Sequence, residues 1–580
     1  MSKRKLILFS ITAVVLSIAF NNCGKPFQSA GNYQDQSVDN LGSTTPGNVA
    51  IPPVTVAGKI RCSSSQQTTI PNISRKLFRL TPVQYNNTIH YLFNLENSVN
   101  YLSELSESTS TGDFFNEADS LVLSVDDFKY FESVIANVFQ RINQVGFAKA
   151  LEPHHNCGST FSDDCAKEYL QNISTVILKR KLSAGEFADY YSIYNKAKSI
   201  NNSINDGVSE ALMAMLSSPY FHYRTELGEN PSSTELSSFE LINFLSYTLW
   251  QMPADQELIA LAEDKSIFGK KAYHAQLERM INNNKFKNFI YSFSRDWLNL
   301  MSISTGANNR SGLISEVVEF IFDKFTKNKG YAELFDSSYS YLNSDLATVY
   351  GYKGELSNQI KRVNLPTEIQ EQRAGLLTMS GTIQAMGKGG HYVGRAIYTM
   401  RNFMCLELPT PNENDVMEFE EHFKETVDPN LTGLDLLVAE SNLQMSDSKC
   451  SSCHNKINPI GFNFAKYDLF GGYNPVDDKG KKIHFPGSIN YIDIQGSFHD
   501  PKTLAPLFAN SEAAPLCISN KMFKFIYGKS YNENQIAESR ADNCSVYGVM
   551  NESKANGQSL KVILKSLLQH KFAVDRSKGN

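Results

Sequence analysis

The apolar positions along most of the chain repeat with the period of an α-helix. Between positions 79 and 93 they fall at Val83, Ile89, Leu92 and Phe93, so one face of that segment is apolar. Patterns of the same kind run through 211–226, 272–300, 313–325, 394–406, 516–527 and 559–572. The predicted fold class is therefore mainly α, with a helical body built from several modules.

Local sequence also marks where two of these helices begin. Thr81 with Gln84, and Ser237 with Glu240, have the three-residue spacing of a capping box. Pro82 stands at the first helical position, where its missing N–H is not needed. Helices are therefore predicted to begin directly after Thr81 and Ser237.

The first 72 residues lack the helical pattern of the body. Basic residues at 3–5 precede an apolar run at 6–20, which is typical of a secretory signal and too short to span a membrane comfortably. Cys23 follows this run, which predicts a lipoprotein that is cleaved before Cys23 and lipidated on it. Its expected location is the outer membrane or the periplasmic face of a membrane. The preceding residues depart from a lipobox, so ordinary cleavage or an uncleaved anchor stay open. Residues 24–72, rich in Ser, Asn, Gly and Pro, are predicted to form a flexible tether.

Composition and charge limit the classes of function. The 580 residues are 41% apolar and 20% charged, which is ordinary for a globular protein of several domains. The net charge is −5, and Lys and Arg form no cluster after the first five residues. Nucleic acid is therefore not an expected partner.

The motif Cys450-Ser-Ser-Cys453-His454 carries the most specific chemistry in the sequence. Two thiols separated by two residues can add to the two vinyl groups of a haem, and the adjacent imidazole then becomes an axial ligand of the iron. A zinc site would need further ligands, and the chain has no second CxxC motif; a redox-active disulfide has no need of the histidine. The sequence therefore predicts one covalent haem c, with His454 as its metal ligand.

The residues after this motif are apolar, aromatic and glycine-rich. Pro459 is a candidate to present its backbone carbonyl to the His454 ring, although core packing is the plainer role for it and its neighbours. Further along, the run 477–480 between Val476 and Ile483 predicts the turn of a small β-hairpin.

Cysteine parity supports an oxidising compartment. Setting aside the haem-attachment pair and Cys23, six of the nine cysteines remain: Cys62, Cys157, Cys165, Cys405, Cys517 and Cys544. Three disulfides are possible, and sequence alone leaves their connectivity open. For Cys157 and Cys165, which lie near His154 and His155, we favour a local disulfide over a metal site.

Several segments in order carry a resemblance to a known family. They are RLTPVQYNNTI, ALMAMLSSPYF, LSYTLWQMPADQELIALA, RAGLLTM, CSSCHNKINPIGF and FKFIYGK, spread between positions 79 and 570. Through them the chain resembles the planctomycete-type cytochrome-c-like secreted proteins, a multi-module family. It departs from the family pattern at Asn458, Asn474 and Lys529, none of which attaches haem. The resemblance implies an exported, mostly helical, haem-bearing protein and supplies no reaction.

The resemblance also bears on disulfides and boundaries. Family counterparts often carry a cysteine at the position of Cys517 and a second one downstream. This pattern, together with the closeness of Cys517 and Cys544 in sequence, favours the pair Cys517–Cys544; Cys62–Cys405 is the further expected pair.

The predicted segments are 1–23 signal, 24–72 tether, 73–228 N-terminal helical modules, 229–345 central helical module, 346–474 cytochrome-c-like module, and 475–580 hairpin plus C-terminal helical module.

The leading functional hypothesis is an exported monohaem c-type cytochrome that exchanges single electrons with a redox partner protein. The alternatives are a haem enzyme or redox subunit that acts in a pocket of the helical body, and a binding protein with a structural haem. A strong second axial ligand favours electron transfer. The candidates, in order, are Met386, Met379 and His391, because Met386 and His391 flank a glycine-rich loop.

Overall fold

The computed structural model confirms the mainly α fold class. It describes residues 62–95, 101, 114–118, 121, 123–155, 161–304, 309–387, 391–409, 411–529 and 536–576, together with two short strands before them. The predicted signal, Cys23, Cys157 and most of the predicted tether lie outside the described residues. The described chain begins with β1 (Thr55–Val56), β2 (Lys59–Ile60) and α1 (Ser64–Gln67).

The chain folds into two compact units. Of the described residues, the first unit contains Ile73–Phe286 and those from Ala573 onward, and the second contains Lys287–Phe572 and those before Ile73. Both have cores of buried aromatic and aliphatic side chains, with Trp250 in the first and Trp297 in the second almost fully buried. Among the described helices, none is long and apolar enough to cross a membrane.

The first unit is a set of helices with one two-stranded sheet. Its strands are β3 (Lys76–Arg79) and β4 (Tyr223–Glu226), which pair antiparallel. Its helices are α2 (Pro82–Phe93), α3 (Val125–Val145), α4 (Phe147–Leu151), α5 (Asp163–Leu178), α6 (Ala184–Asn201), α7 (Ile204–Leu216), α8 (Pro219–His222), α9 (Ser238–Leu249), α10 (Gln256–Glu263) and α11 (Lys270–Ile281).

Both predicted capping boxes are present. The Thr81 hydroxyl accepts from the Gln84 amide N–H, and the Gln84 side chain accepts from the Thr81 N–H; Ser237 and Glu240 make the same reciprocal pair. The helical pattern predicted over 211–226 is wrong at its end, because α7 stops before Pro219 and the last four residues form β4. Pairing with β3, distant in sequence, overrides the local helical pattern there.

The second unit carries the motif Cys450–His454 and most of the remaining elements. They are α12 (Lys287–Trp297), α13 (Arg310–Thr326), β5 (Tyr339–Leu342), α14 (Ser344–Tyr350), β6 (Lys361–Asn364), α15 (Thr367–Gln370), α16 (Ser380–Ala385), α17 (Tyr392–Phe403), α18 (Glu413–Thr426), α19 (Gly433–Ser446), α20 (Ser451–Phe462), β7 (Gly487–Tyr491), β8 (Ile494–Phe498), α21 (Pro501–Ala509), α22 (Ala513–Tyr527), α23 (Ile536–Ser553), α24 (Leu560–Leu567) and α25 (His570–Val574), which ends in the first unit.

The predicted turn at 477–480 forms, and the residues on either side of it pair. The Gly480 N–H donates to the Asp477 carbonyl, the Asp477 N–H to the Lys481 carbonyl and the Ile483 N–H to the Pro475 carbonyl, and an antiparallel bridge joins Val476 and Lys482. A longer hairpin follows it, formed by β7 and β8, which pair from Gly487 with Phe498 to Tyr491 with Ile494.

Two predicted disulfide pairings are wrong. The four cysteines concerned are bonded as Cys62–Cys544 and Cys405–Cys517, with Cα–Cα distances of 5.5 and 5.3 Å. Cys405 follows α17, which packs against α22 carrying Cys517, whereas α23, carrying Cys544, packs against α1 beside Cys62. Tertiary packing, and not closeness in sequence, therefore determines which cysteines are bonded.

Lys529, where the sequence departs from the family pattern, has a clear structural role. Its ammonium group pairs with the buried carboxylate of Asp542 and donates to the Asn72 carbonyl. Cys165 is disulfide-bonded, but Cys157 lies outside the described residues, so the Cys157–Cys165 pairing stays a prediction.

Candidate functional site

The motif Cys450–His454 lies at the start of α20. Cys450 immediately precedes the helix, and its carbonyl accepts from the backbone N–H groups of Cys453 and His454, so the motif forms the first helical turn. Within the described residues Cys450 and Cys453 are the free cysteines, and both are half-buried. The helical turn therefore presents two thiols and one imidazole together near the surface.

The hairpin of α19 and α20 holds this turn in place. Between the two helices, the carboxylate of Asp447 accepts from the backbone N–H groups of Lys449 and Cys450, at 2.8 and 3.1 Å. Burial, together with the nearby Asp447 carboxylate, raises the pKa of the Cys450 thiol to about 11. The Cys450 sulfur is therefore held as the neutral thiol at neutral pH.

The imidazole of His454 is held by a side chain and not by a backbone carbonyl. Its Nδ1 lies 2.8 Å from Asn458 Oδ1, one helical turn further along α20. The role predicted for Pro459 is therefore corrected: Pro459 lies inside α20, and its ring lies next to Gly487 of β7. From the sequence, Asn458 was noted only as a departure from the family pattern, although its four-residue spacing from His454 on a helix indicates this contact.

Behind Asn458 lies a buried set of polar side chains. The Asn458 Nδ2 donates to Ser441 Oγ at 2.9 Å and to Gln444 Oε1 at 3.3 Å, both on α19. The Tyr392 hydroxyl of α17 donates to the same Gln444 oxygen at 2.9 Å. Asn458, Ser441, Gln444 and Tyr392 are all less than 9% exposed, so these bonds form out of contact with bulk water.

A close contact brings α17 onto α20. A Cβ added at Gly461 would lie 2.1 Å from the Tyr392 carbonyl oxygen, so only glycine lets the two backbones approach this far. The Tyr392 ring stacks on Phe462, with centroids 4.3 Å apart. The helix that carries His454 is thus fixed against α17 and α19.

Apolar side chains on the neighbouring helix remain partly exposed. Of the residues of α19, only Ser441 and Gln444 are buried. The leucines, valine and methionine of this helix are therefore half-buried or exposed, and after α20 Leu469 and Phe470 are 47% and 61% exposed. The helix that packs directly against α20 therefore carries apolar side chains that are not fully buried.

The structure places the distal-ligand candidates as follows. Met379 and Met386 flank α16 and are each 2% exposed. The helix α16 packs chiefly against α13. The helix that carries His454, α20, packs chiefly against α17, α19 and β7. His391 caps α17, with Nδ1 accepting from the Val393 N–H and Nε2 3.4 Å from Glu440 Oε2. A distal ligand therefore stays a prediction.

Two methionines that were not among the predicted ligands lie on the helices α19 and α18, which precede the motif. Met445 lies on α19, which packs directly against α20, and Met417 lies on α18 with 56% of its surface exposed. In the described part of the chain no cluster of three or more His, Cys, Asp or Glu side chains has the arrangement of a metal site. His154 and His155 each hydrogen-bond to a backbone carbonyl, of Tyr91 and Ala148.

The donor set fits a c-type haem. Two free thiols stand three residues apart on one helical turn, and the following imidazole is anchored through Nδ1. Its Nε2 makes no hydrogen bond to any described residue, so this nitrogen is available as a metal ligand. Cys450, Cys453 and His454 would hold the group, with Asn458 positioning the imidazole.

Four family models match the chain, each described as a protein of unknown function. They are PSD3 (DUF1587) over 79–143, PSD5 (DUF1595) over 165–226, PSD4 (DUF1592) over 236–352, and PSCyt3 (DUF1588) over 373–477. The last match contains Cys450–His454, α17 and α19, which together form the site described above. No curated protein and no solved structure matches the chain.

Proposed function

The chain belongs to the planctomycete-type multi-module cytochrome-c-like family, and we propose that it is an exported monohaem c-type cytochrome that transfers single electrons. The observation that carries this proposal is the first turn of α20. There, Cys450 and Cys453 are free thiols, and His454 is anchored through Nδ1 with Nε2 left available.

The residues of this turn have distinct roles in the proposal. Cys450 and Cys453 would hold haem c: each S–H would add across one vinyl group, with sulfur going to one vinyl carbon and hydrogen to the other, so no oxidant is required. When bound, haem c would supply a one-electron iron couple. His454 Nε2 would hold the iron, and Asn458 orients the His454 ring through Nδ1.

The half-buried position of the two cysteines supports electron transfer in particular. Thioether bonds to Cys450 and Cys453 would bring one edge of the haem near the protein surface. An edge near the surface is where a redox partner protein can approach to exchange an electron. We propose such a protein as the partner of this chain.

A haem-stained denaturing gel tests attachment. The wild-type chain, produced in a host that matures c-type cytochromes, is expected to stain, whereas Cys450→Ala/Cys453→Ala is expected to lose all stain, because no thioether can form. The matched control Ser451→Ala/Ser452→Ala alters the residues between the cysteines and keeps both thiols, so it should stain like the wild type. An unstained wild-type band would refute haem attachment.

The visible spectrum of the same protein tests the function. Electron transfer predicts a low-spin, six-coordinate haem in both oxidation states. A high-spin spectrum would instead favour a haem enzyme.

We also propose that the chain is a lipoprotein anchored through Cys23. The apolar run directly before this cysteine supports the proposal, and the two described disulfides are compatible with an exported protein. Cys23→Ser is expected to move the protein from the membrane fraction to the soluble fraction, as followed by immunoblotting. Unchanged membrane association in this variant would rule out lipid at Cys23 as the anchor.

A further inference from the structure

The orientation of the Asn458 side-chain amide is set by its partners. One end of the amide lies 3.3 Å from the backbone carbonyl oxygen of Ser441 and 2.9 Å from the Ser441 hydroxyl. A carbonyl oxygen only accepts hydrogen bonds, so the end that faces it must be the NH₂ group. The amide oxygen Oδ1 must then face His454.

The amide orientation in turn determines the tautomer of His454. Asn458 Oδ1 accepts and cannot donate, so the proton of the contact at 2.8 Å lies on His454 Nδ1. In the neutral imidazole, Nε2 then carries the lone pair that a metal needs. The ring is thus prepared for ligation before any metal binds.

The partners of Asn458 make this orientation hard to reverse. Asn458 is 1% exposed, and a rotated amide would point its oxygen at the Ser441 carbonyl and its NH₂ at His454. Gln444, which accepts from Asn458, is itself held by the Tyr392 hydroxyl and donates to Glu440. Because each of these bonds is buried or partly buried, reversing the amide would leave polar groups without a partner away from water.

We propose that Asn458 is a positioning residue that fixes His454 as its Nδ1–H tautomer. Because the Asn458 amide is neutral, the redox potential of the site is higher than it would be with a carboxylate at this position. The inference rests on the proposed haem attachment. A carboxylate that accepts from Nδ1 makes an imidazole a stronger donor and so stabilises the oxidised metal, whereas an amide does so much less.

The surroundings of Asn458 also select an amide over a carboxylate. Two of its contacts on α19, the Ser441 carbonyl and the Gln444 side-chain oxygen, are acceptors that face its nitrogen. An aspartate at this position would place a carboxylate oxygen against these two oxygens, and the Ser441 hydroxyl would be the one of these groups able to donate to it. The charged residues of this network, Glu440 and His391, lie beyond Gln444 and do not reach Asn458.

The test is the midpoint potential of the full-length holoprotein and of two aspartate variants. Asn458→Asp is expected to lower the potential, because the carboxylate strengthens the His454 ligand. Asn455→Asp is the matched control: it adds the same charge to α20, one residue from His454, but at an exposed position. It should alter the potential much less. Equal shifts in the two variants, or no shift in Asn458→Asp, would overturn the inference.

A second measurement needs no haem and covers the case in which Asn458→Asp does not fold. In the full-length chain produced without haem attachment, ¹⁵N shifts of the His454 ring are expected to show a protonated Nδ1 and an unprotonated Nε2. The ring signals that disappear in His454→Gln are those of His454. The opposite tautomer would overturn the inference even if haem attaches, whereas absent haem with the expected tautomer would count only against the proposed function.

Discussion

Replacing Glu226 with alanine is expected to lower the free energy of unfolding of the first unit by about 3–5 kcal/mol. The Glu226 carboxylate lies between two guanidinium groups, 3.0 Å from Arg224 Nη2 and 2.6 Å from Arg576 Nε. All three residues are buried. Removal of the carboxylate leaves two positive charges in the interior without their counter-ion, and burial already lowers the pKa of Arg224.

Urea unfolding followed by tryptophan fluorescence measures this loss in the unit concerned. The chain has two tryptophans, Trp250 in the first unit and Trp297 in the second, so Trp297→Phe leaves a reporter in the first unit alone. The control is Glu229→Ala, which breaks an exposed pair with Lys265 and should cost no more than about 1 kcal/mol. Similar losses in the two glutamate variants would contradict the assigned role of Glu226.

Removing the Cys62–Cys544 disulfide is expected to destabilise the second unit by about 5 kcal/mol in Cys62→Ala/Cys544→Ala. The bond joins residues 482 apart in sequence and closes the longer of the two described loops. It also fixes α1 against α23, where a Cβ at Gly548 would lie 2.2 Å from the Gln67 carbonyl oxygen. Without the bond, the unfolded chain between Cys62 and Cys544 is no longer closed into a loop, so its conformational entropy is larger.

The comparison variant is Cys405→Ala/Cys517→Ala, which opens a loop of 112 residues. The dependence of chain entropy on loop length predicts that this loss is smaller by about 1 kcal/mol. Both are measured by urea unfolding with Trp297 as the reporter, in a Trp250→Phe background. A larger loss in the Cys405/Cys517 variant would show that loop closure does not set the contribution of these bonds.

Features encoded within a few residues could be predicted from the sequence. The capping boxes at Thr81 and Ser237 involve only residues three apart, and the turn at 477–480 depends on its own Asp and Gly. The motif Cys450–His454 is likewise local, and it does form one helical turn. At these positions, nothing distant competes with the local preference.

Features that depend on which helices meet could not be predicted. Cys517 bonds to Cys405 because α22 packs on the end of α17, and no pattern near Cys517 records that contact. The end of the helical pattern over 211–226 forms β4 for the same reason, since its partner strand β3 lies far away in the chain. The partners of Asn458 on α19 also come from packing, although its spacing from His454 was visible.

The most direct test of haem attachment is the mass of the proteolytic peptide that contains Cys450, Cys453 and His454, taken from the protein matured in a host that attaches haem c. We expect this peptide with the mass of one haem added and with no thiol open to alkylation, since both sulfurs are in thioether bonds. The same peptide recovered without haem, with both thiols alkylated or joined in a disulfide, would contradict it.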